Sequence, residues 1–118
     1  MHEMPTILNI VASAERLAKQ YGVSKLGYVK IEVGELSSAL PRYLKELWPL
    51  GSKDSICEGA ELLIEEKKAV AQCRDCGREY PAIENLVDNY PVCPYCHSER
   101  YSITEGAKVF ITELGIPE

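Results

Sequence analysis

Hydrophobic positions near the start of the chain follow a helical period. Between residues 5 and 21, apolar side chains recur every three or four positions, which places them along one stripe of a helix. Pro5 suits the first turn, where its missing N–H leaves no bond unmade, and Gly22 suits the end. The predicted stripe consists of Ile7, Leu8, Val11, Ala14, Leu17, Ala18 and Tyr21.

A second helical pattern begins near residue 39. Ser37 or Ser38 can cap this helix, because a serine hydroxyl accepts a hydrogen bond from the free N–H groups of a first turn. Pro41 would lie in that turn, and the stretch PLG at residues 49–51 would end the helix. Its apolar face carries Leu40, Leu44 and Leu47.

Three further segments predict strands. The stretch LGYVKIEVG at residues 26–34 alternates apolar and polar side chains, as a half-buried strand does. Residues 60–71 predict a second strand, although their glutamates and lysines are also compatible with a helix. Residues 108–114 are rich in β-forming side chains and predict a third. The inward-facing residues are Val29, Ile31 and Val33 in the first strand and Val109 and Ile111 in the last.

A block of different composition separates the last two predicted strands. Residues 72–103 hold four of the five cysteines and almost no periodic apolar face, so this block cannot bury a conventional core. We therefore predict an α+β fold with two helices on one face of a small three-stranded sheet. Its domain would be discontinuous, residues 1–71 plus 104–118, with the block 72–103 inserted as a compact zinc-ribbon-like domain.

Charge and hydropathy narrow the class of protein. Lys and Arg number 13 against 18 Asp and Glu, a formal charge of −5, which disfavours binding to a nucleic-acid backbone. No apolar run approaches the roughly 18 residues of a membrane span. The N-terminus has neither the basic region nor the continuous apolar stretch of a signal peptide. We expect a soluble cytoplasmic protein.

The cysteines form two C-x2-C pairs separated by sixteen residues, Cys73 with Cys76 and Cys93 with Cys96. This spacing is typical of a zinc site, in which each short turn aims two sulfur atoms at one metal ion. Four protein ligands close the coordination shell, which indicates a structural zinc rather than a catalytic one. Cys57 remains outside the pairs and is predicted to be a small buried side chain.

Other uses of paired cysteines remain open to different degrees. A rubredoxin-like iron site has the same four ligands, and the sequence does not exclude it. A thioredoxin-like redox pair would start a helix in a βαβ pattern, which this chain lacks. A nucleic-acid-binding zinc ribbon is disfavoured, because residues 70–102 carry three arginines against five acidic residues.

His97 follows the second cysteine pair at the position that Gly77 occupies after the first. Such a turn needs a backbone with φ above zero, which histidine tolerates better than most residues. His97 is therefore either a permitted turn residue beside the metal site or an imidazole that could replace a thiolate or respond to pH.

The first three residues, Met1, His2 and Glu3, can form a second metal site. The α-amine, the His2 amide nitrogen and the His2 imidazole can close two fused chelate rings around one ion. Such a set suits Ni2+ or Cu2+, which favour square-planar nitrogen ligation, and not Zn2+, which has no such preference. Glu3, His97 or water could complete the plane, although an acid at Glu3 also suits a helix start.

The chain resembles the HypA/HybF family of hydrogenase nickel-incorporation proteins. The resemblance extends from the initial MHE through GELSSALPRYLKELW, CRDCGREYP and CPYCHSERYSITEGAK to the last strand. It implies a nickel metallochaperone with Met1, His2 and Glu3 at the nickel site and Cys73, Cys76, Cys93 and Cys96 at a structural zinc.

The same resemblance implies two partners, a HypB-type nucleotide-hydrolysing maturation protein and the large subunit of [NiFe]-hydrogenase, with urease as another client of some relatives. No catalytic constellation can be read from the chain, which has only two histidines, so we do not expect an enzyme. The alternative is a zinc-ribbon module that binds a protein or a nucleic acid and has no role with nickel.

Overall fold

The computed structural model describes residues 3–118, which divide into two compact units. The helical unit comprises residues 3–33, 38–66 and 109–118, and the cysteine unit comprises Gly34–Ser37 and Lys67–Lys108. In chain order the helices and strands are α1 (Glu3–Gln20), β1 (Tyr28–Gly34), α2 (Pro41–Gly51), β2 (Glu61–Lys67), β3 (Val70–Cys73), β4 (Glu79–Pro81), β5 (Leu86–Val87), β6 (Tyr90–Pro91), β7 (Tyr101–Glu105) and β8 (Val109–Gly115).

The helical unit combines α1 and α2 with a three-stranded sheet in the order β2-β1-β8, and this confirms the predicted α+β class. In this sheet β8 pairs antiparallel with β1, although the two strands are far apart in the sequence. Among the described residues, no helix is long and apolar enough to span a membrane.

The buried face of α1 differs in detail from the predicted stripe. Ile7 is fully buried, whereas Leu8 is 53% exposed and Tyr21 is 80% exposed. Leu8 lies about 100° around the helix from Ile7, so the two side chains cannot face the same core. Ile10, which the stripe omitted, is buried instead. The complete buried set of α1 is Glu3, Ile7, Ile10, Val11, Ala14 and Ala18.

The predicted serine cap of α2 is wrong. Ser37 belongs to a short 3-10 helix, where its hydroxyl donates a 2.7 Å hydrogen bond to the carbonyl of Gly34. Ser38 has a left-handed backbone with φ 68°. Leu40 occupies the cap position without a side-chain bond, and Pro41 is the first helical residue, as the missing N–H of proline allows. The helix ends at Gly51, as predicted.

The segment 60–71 does not form one continuous strand. It divides into β2 and β3, with a break at residues 68 and 69, and β3 pairs with β4 and β7 of the cysteine unit. The predicted inserted domain, residues 72–103, lies within Lys67–Lys108 of the cysteine unit, which also contains the whole of β3 and β7.

A β-bulge in β8 changes which of its side chains face the core. Lys30 pairs with Glu113 and Ile31 pairs with Ile111, so Thr112 has no partner residue across the ladder. The extra residue shifts the alternation by one position. Consequently Leu114 packs against the core together with Val109 and Ile111, although strict alternation would turn it outward.

Ile7 and Leu8 offer a matched test of this packing. Ile7→Ala should lower the free energy of unfolding by about 2–5 kcal/mol, because it opens a cavity in a fully buried site. Leu8→Ala should change it by less than about 0.5 kcal/mol, since that side chain is 53% exposed. Chemical denaturation followed by the fluorescence of Trp48, the only tryptophan, would measure both. Equal losses would contradict the observed helix orientation.

Candidate metal centre

The first cysteine pair lies in a tight turn after β3. The N–H of Gly77 donates to the carbonyl of Cys73 at 3.0 Å, and the N–H of Cys73 donates to the carbonyl of Arg78 at 2.9 Å. Gly77 has φ +80°, the left-handed conformation that glycine adopts at little cost. Two amides inside the turn, those of Asp75 and Cys76, each donate to the Cys73 sulfur at 3.4 Å. The turn therefore aims N–H dipoles at a thiolate.

The second pair repeats this geometry in a different sequence. The N–H of His97 donates to the carbonyl of Cys93 at 2.9 Å, and the N–H of Cys93 donates to the carbonyl of Ser98 at 3.0 Å. His97 has φ 63° and thus occupies the conformation of Gly77 in the first turn. The backbone of His97 therefore fits the first of its two interpretations, a permitted turn residue, and its side chain is exposed.

The four cysteine sulfur atoms converge on one point. All of them lie within 4.8 Å of one another, and His97 is not a member of the group. The Sγ atoms of Cys73 and Cys96 are 3.5 Å apart, and those of Cys76 and Cys93 are 3.6 Å apart. Zinc–sulfur bonds of about 2.3 Å at tetrahedral angles would separate the sulfurs by about 3.8 Å. The donor set and its spacing therefore fit a four-coordinate zinc ion.

Polar contacts join the two turns around this cluster. The Asp75 carboxylate accepts hydrogen bonds from the Ser98 hydroxyl and, at 3.2 Å, from the Arg100 guanidinium. The guanidinium of Arg78 lies 4.9 Å from the centre of the Tyr95 ring. Sequence reasoning missed these residues. The only signal was that opposite charges flank the two pairs, and such charges usually lie on a solvated surface.

The hydrophobic core of the cysteine unit is small. The buried residues of its hydrophobic cluster are Ala69, Ala71, Cys73, Tyr80, Ala82 and Cys93, of which Tyr80 has the largest side chain. The Tyr80 hydroxyl is buried without a hydrogen-bond partner. Burial raises its pKa, and the charges of Cys93 and Cys73 raise it further. The sulfur cluster, with Cys73 and Cys93 buried and Cys76 and Cys96 exposed, thus belongs to a unit that has a small hydrophobic core.

The thiols of the cluster ionise unequally. The N–H of Cys76 is the main cause that lowers the pKa of Cys73 to about 6. The N–H of Ser98 lowers the pKa of Cys96, but the bond to Cys73, burial and the other thiols together raise it to about 12. Crowded thiolates repel one another, so without a cation they cannot all be charged near neutral pH. Four thiolates require a positive ion at their centre.

The predicted nickel segment is only partly described. Met1 and His2 lie outside the described residues, and Glu3 begins α1. The Glu3 side chain is 5% exposed, and its Oε2 accepts a hydrogen bond from the N–H of Leu40 at 3.4 Å. The structure therefore connects Glu3 with the start of α2, a contact that the sequence analysis did not predict.

Cys57 is separate from the sulfur cluster. It is fully buried in the core of the helical unit, as predicted, and burial raises its pKa to about 11. Its backbone N–H donates to the Ser55 hydroxyl at 3.0 Å. A protonated thiol packed in an apolar core acts as a small hydrophobic side chain.

Comparison with known proteins assigns the chain to a family. The sequence profile described as "Hydrogenase/urease nickel incorporation, metallochaperone, hypA" matches residues 1–116. The chain is 36% identical to hydrogenase maturation factor HypA of Moorella thermoacetica, over 94% of this chain and 95% of the relative. It is 34% identical to HypA of Chlorobium limicola, over 100% of this chain and 98% of the relative.

A solved structure agrees with this assignment. The solution structure of the Ni metallochaperone HypA from Helicobacter pylori matches with a TM-score of 0.75 at 26% identity, covering 98% of this chain and 97% of that one. The fold and the paired cysteines define a small zinc-ribbon-containing α+β protein of the metallochaperone type. This chain belongs to the HypA family of hydrogenase and urease nickel-incorporation metallochaperones.

Removing one sulfur should abolish tight zinc binding. Cys93→Ala leaves three thiols at the cluster, whereas Cys57→Ala leaves all four, because Cys57 lies in the other unit. We expect about one zinc per chain in the Cys57→Ala protein and less than about a tenth of that in Cys93→Ala after dialysis against a competing chelator. Elemental analysis would measure both. Full zinc retention in Cys93→Ala would contradict the four-sulfur site.

Zinc binding should weaken as the pH falls. The pKa values of Cys76 and Cys96 are raised, so both thiols are protonated at neutral pH and must release protons to the solvent when zinc binds. Release of at least two protons would weaken binding by at least about 100-fold for each unit of decrease in pH. Competition with a chromogenic chelator at pH 7.5 and 6.5, corrected for protonation of that chelator, would measure the change. A pH-independent affinity would contradict this assignment.

Proposed function

We propose that this protein is a nickel metallochaperone that binds Ni2+ through its first residues and delivers it during maturation of [NiFe]-hydrogenase. The observation that carries the proposal is the match to the nickel-incorporation family over residues 1–116, which includes the initial MHE. The closed four-sulfur cluster supports it as well. A site already filled by four ligands is suited to structure, which leaves the N-terminal nitrogen atoms for the transported ion.

The proposed nickel ligands are the Met1 amine, the His2 amide nitrogen and the His2 imidazole, with water or a further donor completing the plane. This ligand set favours nickel because square-planar nitrogen coordination suits Ni2+ and not Zn2+. It also allows release, since protonation of the amine or the imidazole removes a ligand. A carrier needs both properties. It must select its ion and then give it up to a partner.

The proposed zinc ligands are Cys73, Cys76, Cys93 and Cys96. Zinc there would hold the two turns together and present a rigid surface, for which the bonds of Asp75 to the second turn provide a frame. The partners we propose are a HypB-type nucleotide-hydrolysing maturation protein and the hydrogenase large subunit. The reducing cytoplasm would keep the paired cysteines as thiols available to the metal.

The amino-terminal site can be tested with zinc-loaded protein that has a native N-terminus. We expect about one Ni2+ per chain with an absorption band typical of square-planar nickel. His2→Ala, and a variant extended by a few residues before Met1, should both lose the band and weaken binding at least about 100-fold, because each removes nitrogen donors from the plane. Isothermal titration and absorption spectroscopy would measure affinity and geometry together.

His97→Ala is the matched control, because it removes the other histidine and leaves the amino terminus intact. It should bind nickel as the unmodified protein does. Equal binding by the native, His2→Ala and extended proteins would refute the N-terminal site and direct attention to the histidine and cysteines of the other unit.

A further inference from the structure

The start of α2 depends on a side chain from another helix. Its cap residue, Leu40, has an extended backbone (φ −100°, ψ 119°) and a side chain that cannot accept a hydrogen bond. Pro41, the first helical residue, has no N–H to offer. The N–H of Leu40 donates instead to Oε2 of Glu3 at 3.4 Å. In a capping box, a glutamate of the same helix accepts this bond, and here α1 supplies the acceptor.

Glu3 occupies an unusual position for a carboxylate. It is 5% exposed, and Ser52 is the other buried polar or charged residue among residues 3–118. Burying a carboxylate is costly unless hydrogen bonds or favourable dipoles compensate. Glu3 lies in the first turn of α1 and contacts the start of α2, and the N-terminus of a helix favours negative charge. The two helix starts together account for its burial.

The residues that follow Glu3 are also packed against the helical unit. Met4 contacts the buried core, and Ile7 is fully buried there. An added Cβ at Gly51 would lie 2.3 Å from Cγ2 of Ile7, which shows how closely the end of α2 approaches α1. The first turn of α1 is therefore packed firmly against the helical unit.

Building on the proposed N-terminal nickel site, we propose that Glu3 is a positioning residue whose carboxylate is not a nickel ligand. Its carboxylate holds the first turn of α1 at the start of α2 through the N–H of Leu40. With its side chain 5% exposed and one oxygen bonded to the N–H of Leu40, Glu3 presents little carboxylate surface to an incoming ion. Through the carboxylate contact, the fold fixes Glu3, the residue that follows the two proposed nickel-binding residues.

If Glu3 only positions the site, its loss lowers the affinity for nickel and leaves the nickel ligands unchanged. A ligand that binds only a fraction of the conformers has its apparent affinity reduced by that fraction. Without the Glu3 bond, the first turn can fray, so nickel would bind fewer competent conformers through unchanged ligands. Loss of a true ligand would instead alter the coordination geometry and the absorption band.

The test compares Glu3→Gln with Glu3→Ala by nickel titration, absorption spectroscopy and thermal unfolding of zinc-loaded protein with a native N-terminus. Glutamine keeps an oxygen that can accept from Leu40, so Glu3→Gln should bind nickel within about threefold of the unmodified protein. Glu3→Ala should bind about tenfold more weakly, which corresponds to about 1.4 kcal/mol, with an unchanged absorption band. Glu15→Ala, which removes an exposed acid from the same helix, is the control and should match the unmodified protein.

Two results would overturn the proposal. If Glu3→Gln and Glu3→Ala lose affinity equally, or if both shift the absorption band, the carboxylate is a ligand. If neither weakens binding, Glu3 has no role at the site. His2→Ala is measured in parallel, because tight nickel binding by that variant would refute the N-terminal site itself. The failure of the one proposal is thus distinguishable from the failure of the other.

Discussion

The convergence of four sulfur atoms is the constraint on which the cysteine unit depends. Each C-x2-C turn by itself is a short loop held by two backbone hydrogen bonds, and the surrounding strands bury only small side chains apart from Tyr80. A unit of this size with so little apolar area needs another source of free energy. Metal–thiolate bonds can supply it, because metal affinity is gained only when the turns meet.

The helical unit, in contrast, is stabilised by a hydrophobic core. Its core is formed by one face of α1, the helix α2 and the inner face of the three-stranded sheet. Trp48 completes this core, and its indole N–H donates to the carbonyl of Ala60 at 2.8 Å. A core of this kind stabilises α1 along its length, because buried residues recur from Glu3 to Ala18.

The sequence predicted those features that local patterns determine. The period of α1, the alternation of β1 and the spacing of the cysteines each depend on residues close in the chain, and the structure agrees with all three in outline. Leu8 and the bulge at Thr112 could not be predicted in this way, because the orientation of a helix and the register of two strands depend on partners far along the chain.

The start of α2 is a further feature that depends on a residue far along the chain and that local patterns do not predict. Two serines precede the helix and match the usual cap, yet the acceptor comes from Glu3, 37 residues away from Leu40 in the sequence. Acidic residues near a helix start are common, and their effect on that helix is local. Local sequence patterns therefore indicate a serine cap and give no sign of Glu3, which only the fold brings into contact with Leu40.

The burial of Cys57 determines which donor atoms the helical unit offers to a metal ion. Of the five cysteines, four are gathered at the cluster and the fifth is sealed in the core with its pKa raised to about 11. The helical unit thus offers an incoming ion no accessible thiolate. Among the described residues, an ion that prefers sulfur finds accessible thiols only in the cysteine unit. Sorting by donor type in this way would require no difference in size or shape between the sulfur cluster and the proposed N-terminal site.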